Sequence, residues 1–223
     1  MPADSEVAER DDSPARESIH SSRDLPPIEA ASEPGEEDEF LAEGYDVSSV
    51  ATTSVTSTVY AHTDMGNRCA LKPGGWIELQ ELHGAPFCDD GTMLPNDPVK
   101  RMYDLAGEAF STFGMNTTLP ANLEPLLRAA GFENIQCHVK KVPIGVWAKD
   151  KTLRLVGMYQ KLAVVDIMPT FAGRPFEALG MSQVESQVVL AMARKALEDT
   201  EVHRYFNYYF WYAQKPGGGV GKE

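Results

Sequence analysis

Apolar and polar positions alternate where Trp76, Glu78 and Gln80 face one way and Ile77, Leu79 and Glu81 the other. A period of two predicts a strand. Pro73-Gly74-Gly75 ahead of it fits a sharp turn, because proline fixes φ and glycine accepts a reversal that a Cβ would resist. Gly84 and Pro86 end the pattern. The period then becomes helical, with Val99, Met102, Tyr103, Ala106, Ala109, Phe110 and Phe113 on one face. Asp97 is placed to cap that helix, and Pro98 suits its first position. A shorter helix is expected over 123–130, capped by Asn122, with Pro125 in its first turn. Gly131 should end it with a positive φ. Ile135, Cys137 and Val139 then alternate with Gln136, His138 and Lys140, which predicts a second strand whose polar face carries His138 toward solvent.

A further helix is expected over 152–167, with Leu155, Met158, Tyr159, Leu162 and Val165 on its buried face and Pro169 and Gly173 ending it. Ser182-Gln183-Val184-Glu185 reads as a capping box. It opens a helix whose apolar positions are Val184, Val188, Ala191, Met192 and Leu197. The aromatic run over 205–213 predicts a strand buried on both faces, closed by Lys215-Pro216.

The first 62 residues carry no such pattern. They are rich in Ser, Asp, Glu, Pro and Ala, and residues 1–46 alone hold 15 acidic and 3 basic side chains. The formal charge of the chain is −13, so nearly all of it resides in this head. Low hydrophobicity with high charge cannot offset the entropy of folding. The expected organisation is a disordered acidic tail over 1–62, a folded part over 63–216 and a flexible end over 217–223. No basic patch is present for a nucleic-acid backbone. No apolar run approaches the roughly 18 residues of a membrane span. Cys69, Cys88 and Cys137 are widely spaced and form no CxxC, which reads as reduced thiols in an intracellular protein, nuclear or cytoplasmic.

Leu71-Lys72-Pro73-Gly74-Gly75, a turn feeding a strand, resembles the fifth-strand motif of class I S-adenosylmethionine (SAM)-dependent methyltransferases. Leu126-Leu127-Arg128-Ala129-Ala130-Gly131-Phe132 is similar to the corner that precedes the sixth strand in that family. From Leu71 to Pro216 the order of segments resembles the C-terminal half of fungal methyltransferases related to secondary-metabolism regulators. The resemblance implies an α/β fold, the remnant of a Rossmann-like sheet: three strands, mixed, order 5-7-6, with several helices. The strand over 205–214 would lie antiparallel between two strands that run parallel. The resemblance also implies SAM as cofactor and methyl transfer to an unknown acceptor in the full-length form.

SAM in that family rests on a Gly-rich turn between a first strand and a helix. Gly74-Gly75 precedes a strand, Gly217-Gly218-Gly219 lies at the chain end, and neither fits. The chain is therefore expected to be truncated, with the SAM-binding half missing and no catalytic or cofactor-binding residue assignable. The alternative is a non-catalytic remnant or an interaction module acting through the acidic tail. Three residues remain as substrate-pocket candidates. Glu81 and His83 stand at the C-terminal end of the first strand, where open α/β sheets place ligands, and could act as an acid/base pair. Trp147 could line a pocket. No metal-ligand spacing occurs among the His and Cys residues. The unpaired edge of the strand over 76–80 is expected to promote self-association.

Overall fold

A computed structural model describes residues 25–32 and 71–217. Three strands and five helices follow one another: β1 (Trp76–Leu82), α1 (Pro98–Thr112), α2 (Glu124–Ala129), β2 (Glu133–Pro143), α3 (Lys151–Phe171), α4 (Arg174–Ala178), α5 (Gln183–Leu197) and β3 (Tyr205–Gln214). A single 3₁₀ turn, Leu119–Asn122, precedes α2. The sheet order is β1-β3-β2.

Trp76 to Leu82 pair antiparallel with Gln214 to Tyr208. On the other side Cys137 faces Trp211 and Val139 faces Tyr209, again antiparallel. The expected mixed sheet is therefore corrected. β1 and β2 share a direction but do not touch, because β3 returns between them, so every hydrogen-bonded pair is antiparallel. The order 5-7-6 belongs to a seven-strand numbering that the described residues do not fill; in this chain's own numbering it is replaced by β1-β3-β2. The Pro73-Gly74-Gly75 turn is tied to the end of β3, with Gly74 N–H donating to Lys215 O at 3.0 Å and Lys215 N–H to Gly75 O at 2.8 Å.

Two helical layers use opposite faces of β3. Leu123, Leu127, Phe132, Cys137, Val139, Tyr209, Trp211 and Ala213 pack together on one face, and the Trp211 indole donates to Pro120 O at 2.8 Å. On the other face α1, α3, α4 and α5 close over Phe206 and Tyr208 through Val99, Met102, Val164, Met168, Phe176 and Leu190. These helices reach only the first half of β3. Tyr205, Phe206 and Asn207 are buried, whereas Phe210 and Tyr212 stay half-exposed. The expectation of burial on both faces holds for that first half alone.

Local signals explain most boundaries. The Asp97 carboxylate accepts from Val99 N–H and Lys100 N–H, each at 3.0 Å, and α1 begins at Pro98. Phe113 falls just beyond the helix and is exposed. Ser182 and Glu185 complete their capping box. Gly131 has φ of 81°. Its N–H reaches Arg128 O at 2.9 Å, and Phe132 N–H reaches Leu127 O at 3.0 Å. Those two bonds, with Leu127 and Phe132 in one apolar cluster, are a Schellman motif.

Four expectations need correction. Asn122 ends the 3₁₀ turn, and Leu123 occupies the cap of α2 without a side-chain bond. Pro169 lies inside α3, which continues to Phe171; it removes one bond near the helix end, and the burial of Met168 and Phe171 keeps the last turn in place. α3 buries Gly157, Met158, Gln160, Lys161, Val164, Met168 and Phe171; Met158 is buried as expected, while the rest of the stripe is rotated from the expected one. Gly157 sets that rotation: a Cβ there would stand 2.1 Å from Gly145 O. α5 buries Ser186, Leu190, Ala193 and Leu197; Leu197 is buried as expected, but Val184, Val188 and Met192 are exposed, so the rest of the helix is turned away from the expected face.

The fifth correction concerns the acidic head. Residues 25–32 are not without structure: Ala30 bridges Ala148 in antiparallel fashion, and Ile28 and Ala30 pack against Trp147, Ala148 and Tyr205. The rest of the expected tail, residues 63–70 at the start of the expected folded part and all but Gly217 of the flexible end lie outside the described residues.

Candidate functional site

The C-terminal end of β1 runs into a loop held on three sides. His83 N–H donates to Asn207 O at 3.0 Å, Gly84 N–H to Thr117 O at 2.8 Å, and Phe87 and Tyr205 exchange both backbone bonds at 2.8 and 2.9 Å. The His83 ring lies 4.9 Å from the Phe87 ring and 6.4 Å from that of Tyr209, centroid to centroid. Its Nδ1 is buried and meets no hydrogen-bond partner among the described residues. Burial lowers the imidazole's pKa, opposed in part by a backbone hydrogen bond with Ala85. Desolvation thus disfavours the charged form of the His83 imidazole.

Glu81 lies on β1 opposite Tyr209 and is buried. Trp147 is only 3% exposed, so it presents almost no surface. Its indole N–H donates to Arg204 O at 3.0 Å and its ring lies 4.8 Å from that of His203. The structure links His83 to Trp147 indirectly: Phe87 touches His83, stacks on Tyr205 at 5.9 Å and shares a cluster with Trp147. His138 is half-buried rather than solvent-facing, with its ring edge-on to Tyr212 at 5.8 Å.

Polar networks frame this end of the sheet that sequence reasoning missed. Arg204 and Asp97 form a buried bidentate ion pair, and Arg204 also donates to Ala196 O at 3.0 Å. One carboxylate thus caps α1 and neutralises the residue that opens β3. A second network joins Asp90 to the side chains of His203, Cys88 and Thr92. Burial pushes the Asp90 carboxyl up, but these hydrogen bonds outweigh it and hold the group well below the usual carboxylate range. A third places Lys141 Nζ 2.7 Å from Asp89, which accepts from Tyr205 OH at 2.7 Å. No sequence spacing flags the Arg204–Asp97, His203–Asp90 and Lys141–Asp89 pairs, because the two partners of each are more than 50 residues apart. The Cys137 thiol is pushed up to about 12 by burial and by the charge of Glu124, which leaves it unreactive.

Two surface depressions lie elsewhere. One follows the exposed side of α5 at Gln183, Val184, Gln187, Val188 and Ala191. The other runs along the seam between Pro26–Glu29 and the start of α3 at Lys149 and Leu153. Among the described residues no group of His, Cys, Asp or Glu could hold a metal ion, and no helix is long and apolar enough to cross a membrane. They also supply no Gly-rich turn between a strand and a helix; the Gly74-Gly75 turn opens β1 and bonds to the end of β3.

The elements make an α/β domain whose three-stranded sheet is entered through a Pro-Gly-Gly turn. No protein-family profile matches the chain. Curated relatives do. It is 31% identical over 147 residues to methyltransferase pytC of Aspergillus terreus, covering 66% of this chain and 45% of that protein. It is 30% identical over 148 residues to the probable methyltransferase tdiE of Emericella nidulans, covering 66% and 47%. The secondary metabolism regulator LAE1 of Cochliobolus heterostrophus is 28% identical over 149 residues, covering 66% and 48%. The chain belongs with these fungal methyltransferases and secondary-metabolism regulators, and it corresponds to a C-terminal part of the family. It spans about half the length of the curated relatives it matches.

Proposed function

We propose that the chain is the acceptor-side part of a SAM-dependent methyltransferase, and that without further sequence of the family it neither holds SAM nor transfers a methyl group. The observation that carries this reading is His83. An imidazole whose charged form is disfavoured, with an unpartnered buried Nδ1, stands at the C-terminal end of β1, where α/β sheets of this kind place ligands. Such a group is suited to accept a proton from an acceptor hydroxyl or amine. Phe87 and Tyr209 pack against the ring, Glu81 lies two residues before it on β1, and Trp147 shares a cluster with Phe87. The acceptor itself is unassigned. Cys88 and Cys137 are unbridged thiols, which supports an intracellular, reducing location, nuclear or cytoplasmic.

Isothermal titration of the chain with SAM tests the donor side. The expected result is no saturable heat at concentrations up to about a millimolar; binding at micromolar ligand would overturn it. For the acceptor side, the His83 imidazole followed by NMR should stay neutral below the ordinary pH of about 6.5. An ordinary titration would remove its basis.

A second reading, as a non-catalytic interaction module, draws on β1. One edge of β1 has no partner strand among the described residues, and Trp76 beside it is 51% exposed. Such an edge pairs readily with a second copy of the chain. Size-exclusion chromatography at tens of micromolar should show a dimer or larger species, and a strict monomer would dispose of this reading.

A further inference from the structure

Residues 25–32 cross the body far from their sequence neighbours. Lys149 N–H donates to Glu29 O at 2.8 Å and Ala31 N–H to Trp147 O at 2.9 Å. Lys141 Nζ lies 3.3 Å from both Leu25 O and Pro26 O. The side chains of Ile28 and Ala30 turn onto Trp147, Ala148, Tyr205 and Leu153. Between them Glu29 points outward to Lys149 Nζ at 2.7 Å.

This is the chemistry of strand addition. Main-chain bonds supply attachment, and pockets for alternate side chains supply selectivity. Pro26-Pro27 favours an extended backbone and carries no N–H that docking would leave unpaired. The attachment is also shallow. The Glu29–Lys149 pair is exposed, at 75% and 68%, and exposed pairs contribute little. Ile28 and Ala30 are half-buried, and the seam beside them stays open along Pro26, Ile28, Lys149 and Leu153. Residues 33–70 separate the segment from the turn that starts β1, so its release need not disturb the sheet.

We propose that Trp147, Ala148 and Lys149, with Lys141 beside them, form a peptide-binding groove, and that residues 25–32 are its resident, detachable ligand. The groove takes an extended segment with apolar side chains at alternate positions and a carboxylate between them. The tether keeps the resident segment at a high effective concentration, so a competitor gains the groove only when it binds more tightly or the segment is pulled away. Phe87 lies in the same cluster as Ile28 and Ala30 and also packs on His83. Occupancy of the groove therefore bears on the wall of the candidate site. The inference does not depend on the methyl-transfer reading.

Amide exchange on the full chain tests it, reading Lys149 N–H against Trp211 N–H of β3. In the natural chain Lys149 should exchange at least about tenfold faster than Trp211. Ile28→Asp should abolish the remaining protection at Lys149 and leave Trp211 unchanged. A labelled synthetic peptide of residues 24–33 should then bind the Ile28→Asp chain saturably and restore protection, while the same peptide carrying Ile28→Asp should not. Equal protection at Lys149 and Trp211, loss of Trp211 protection in the variant, or no peptide binding at millimolar concentration would each overturn the proposal. In the first two cases the segment is an integral part of the fold, and in the third the groove has no independent affinity.

Discussion

The two ends of β3 are made of similar residues in different surroundings. Tyr205, Phe206 and Asn207 are buried, with α1, α3, α4 and α5 closing over one face and the Trp147 cluster covering the other. Beyond Tyr208, α2 still covers Tyr209, Trp211 and Ala213, but Phe210 and Tyr212 on the opposite face remain half-exposed beside Gln80, Glu78 and His138. The first end is closed by polar locks as well as packing: Arg204, immediately before the strand, is bound to Asp97. The second ends in a tie between Lys215 and the Pro-Gly-Gly turn. Aromatic content alone does not make a core; the helices that arrive over it do.

The largest expected effects fall at the enclosed end. Asp97→Ala removes a helix cap and strands Arg204 without its partner, and breaking a buried ion pair in this way costs about 3–5 kcal/mol. Chemical denaturation should show that loss. Phe206→Ala at a fully buried position should cost about 3–5 kcal/mol, whereas Phe210→Ala should cost roughly 1 kcal/mol, the scale of an ordinary substitution. Equal effects at Phe206 and Phe210 would erase the distinction between the two ends.

The enclosed end is also where the sequence was hardest to read. Asp97-Pro98 announced the start of α1, Ser182 and Glu185 the start of α5, and Gly131 a left-handed cap. These are local signals, complete within a few residues. The buried side of α5 was only partly legible: Leu197 was, but Val184, Val188 and Met192 form one apolar stripe and Leu190 and Ala193 another, and only the arrival of α1 and α3 selects the second. The rotation of α3 depended on the close approach of Gly157 to Gly145. In the candidate site, Glu81 and His83 were visible from their place at a strand end, but the loose Nδ1 of His83 and the Asp97–Arg204 pair depend on contacts across the whole chain. Composition called the head unstructured. It could not reveal that Leu25 to Ser32 carry the alternation needed to dock on Trp147.

A smaller effect is expected where the open end of the sheet begins. Gly131 turns α2 into β2, and Glu133 of that strand faces Gln214, the last residue of β3. With φ at 81°, Gly131→Ala forces a Cβ into the left-handed region and should destabilise by about 1 kcal/mol. The melting temperature should fall by a few degrees. An unchanged value would mean that the corner relaxes at no cost, and that the open end tolerates rearrangement the enclosed end does not.

The smallest effect concerns acid, and it returns to the enclosed end. Asp90 accepts from His203, Cys88 and Thr92, and despite partial burial its carboxyl titrates well below the usual range. A group whose folded pKa is depressed contributes stability that is fully present above its unfolded pKa, near 3.9 for aspartate. That contribution is lost as pH falls through the folded value. The Asp90 side chain is 45% exposed, so solvent screening keeps the contribution small. Stability measured against pH should therefore decline below about pH 4, and Asp90→Asn should make that decline shallower while changing little near neutrality. The Asn side chain still accepts from Thr92 but no longer carries the charge that His203 faces. If the natural chain and Asp90→Asn lose stability in parallel on acidification, the network around Asp90 is not what secures the loop against the start of β3, and the lock there reduces to Asp97 and Arg204.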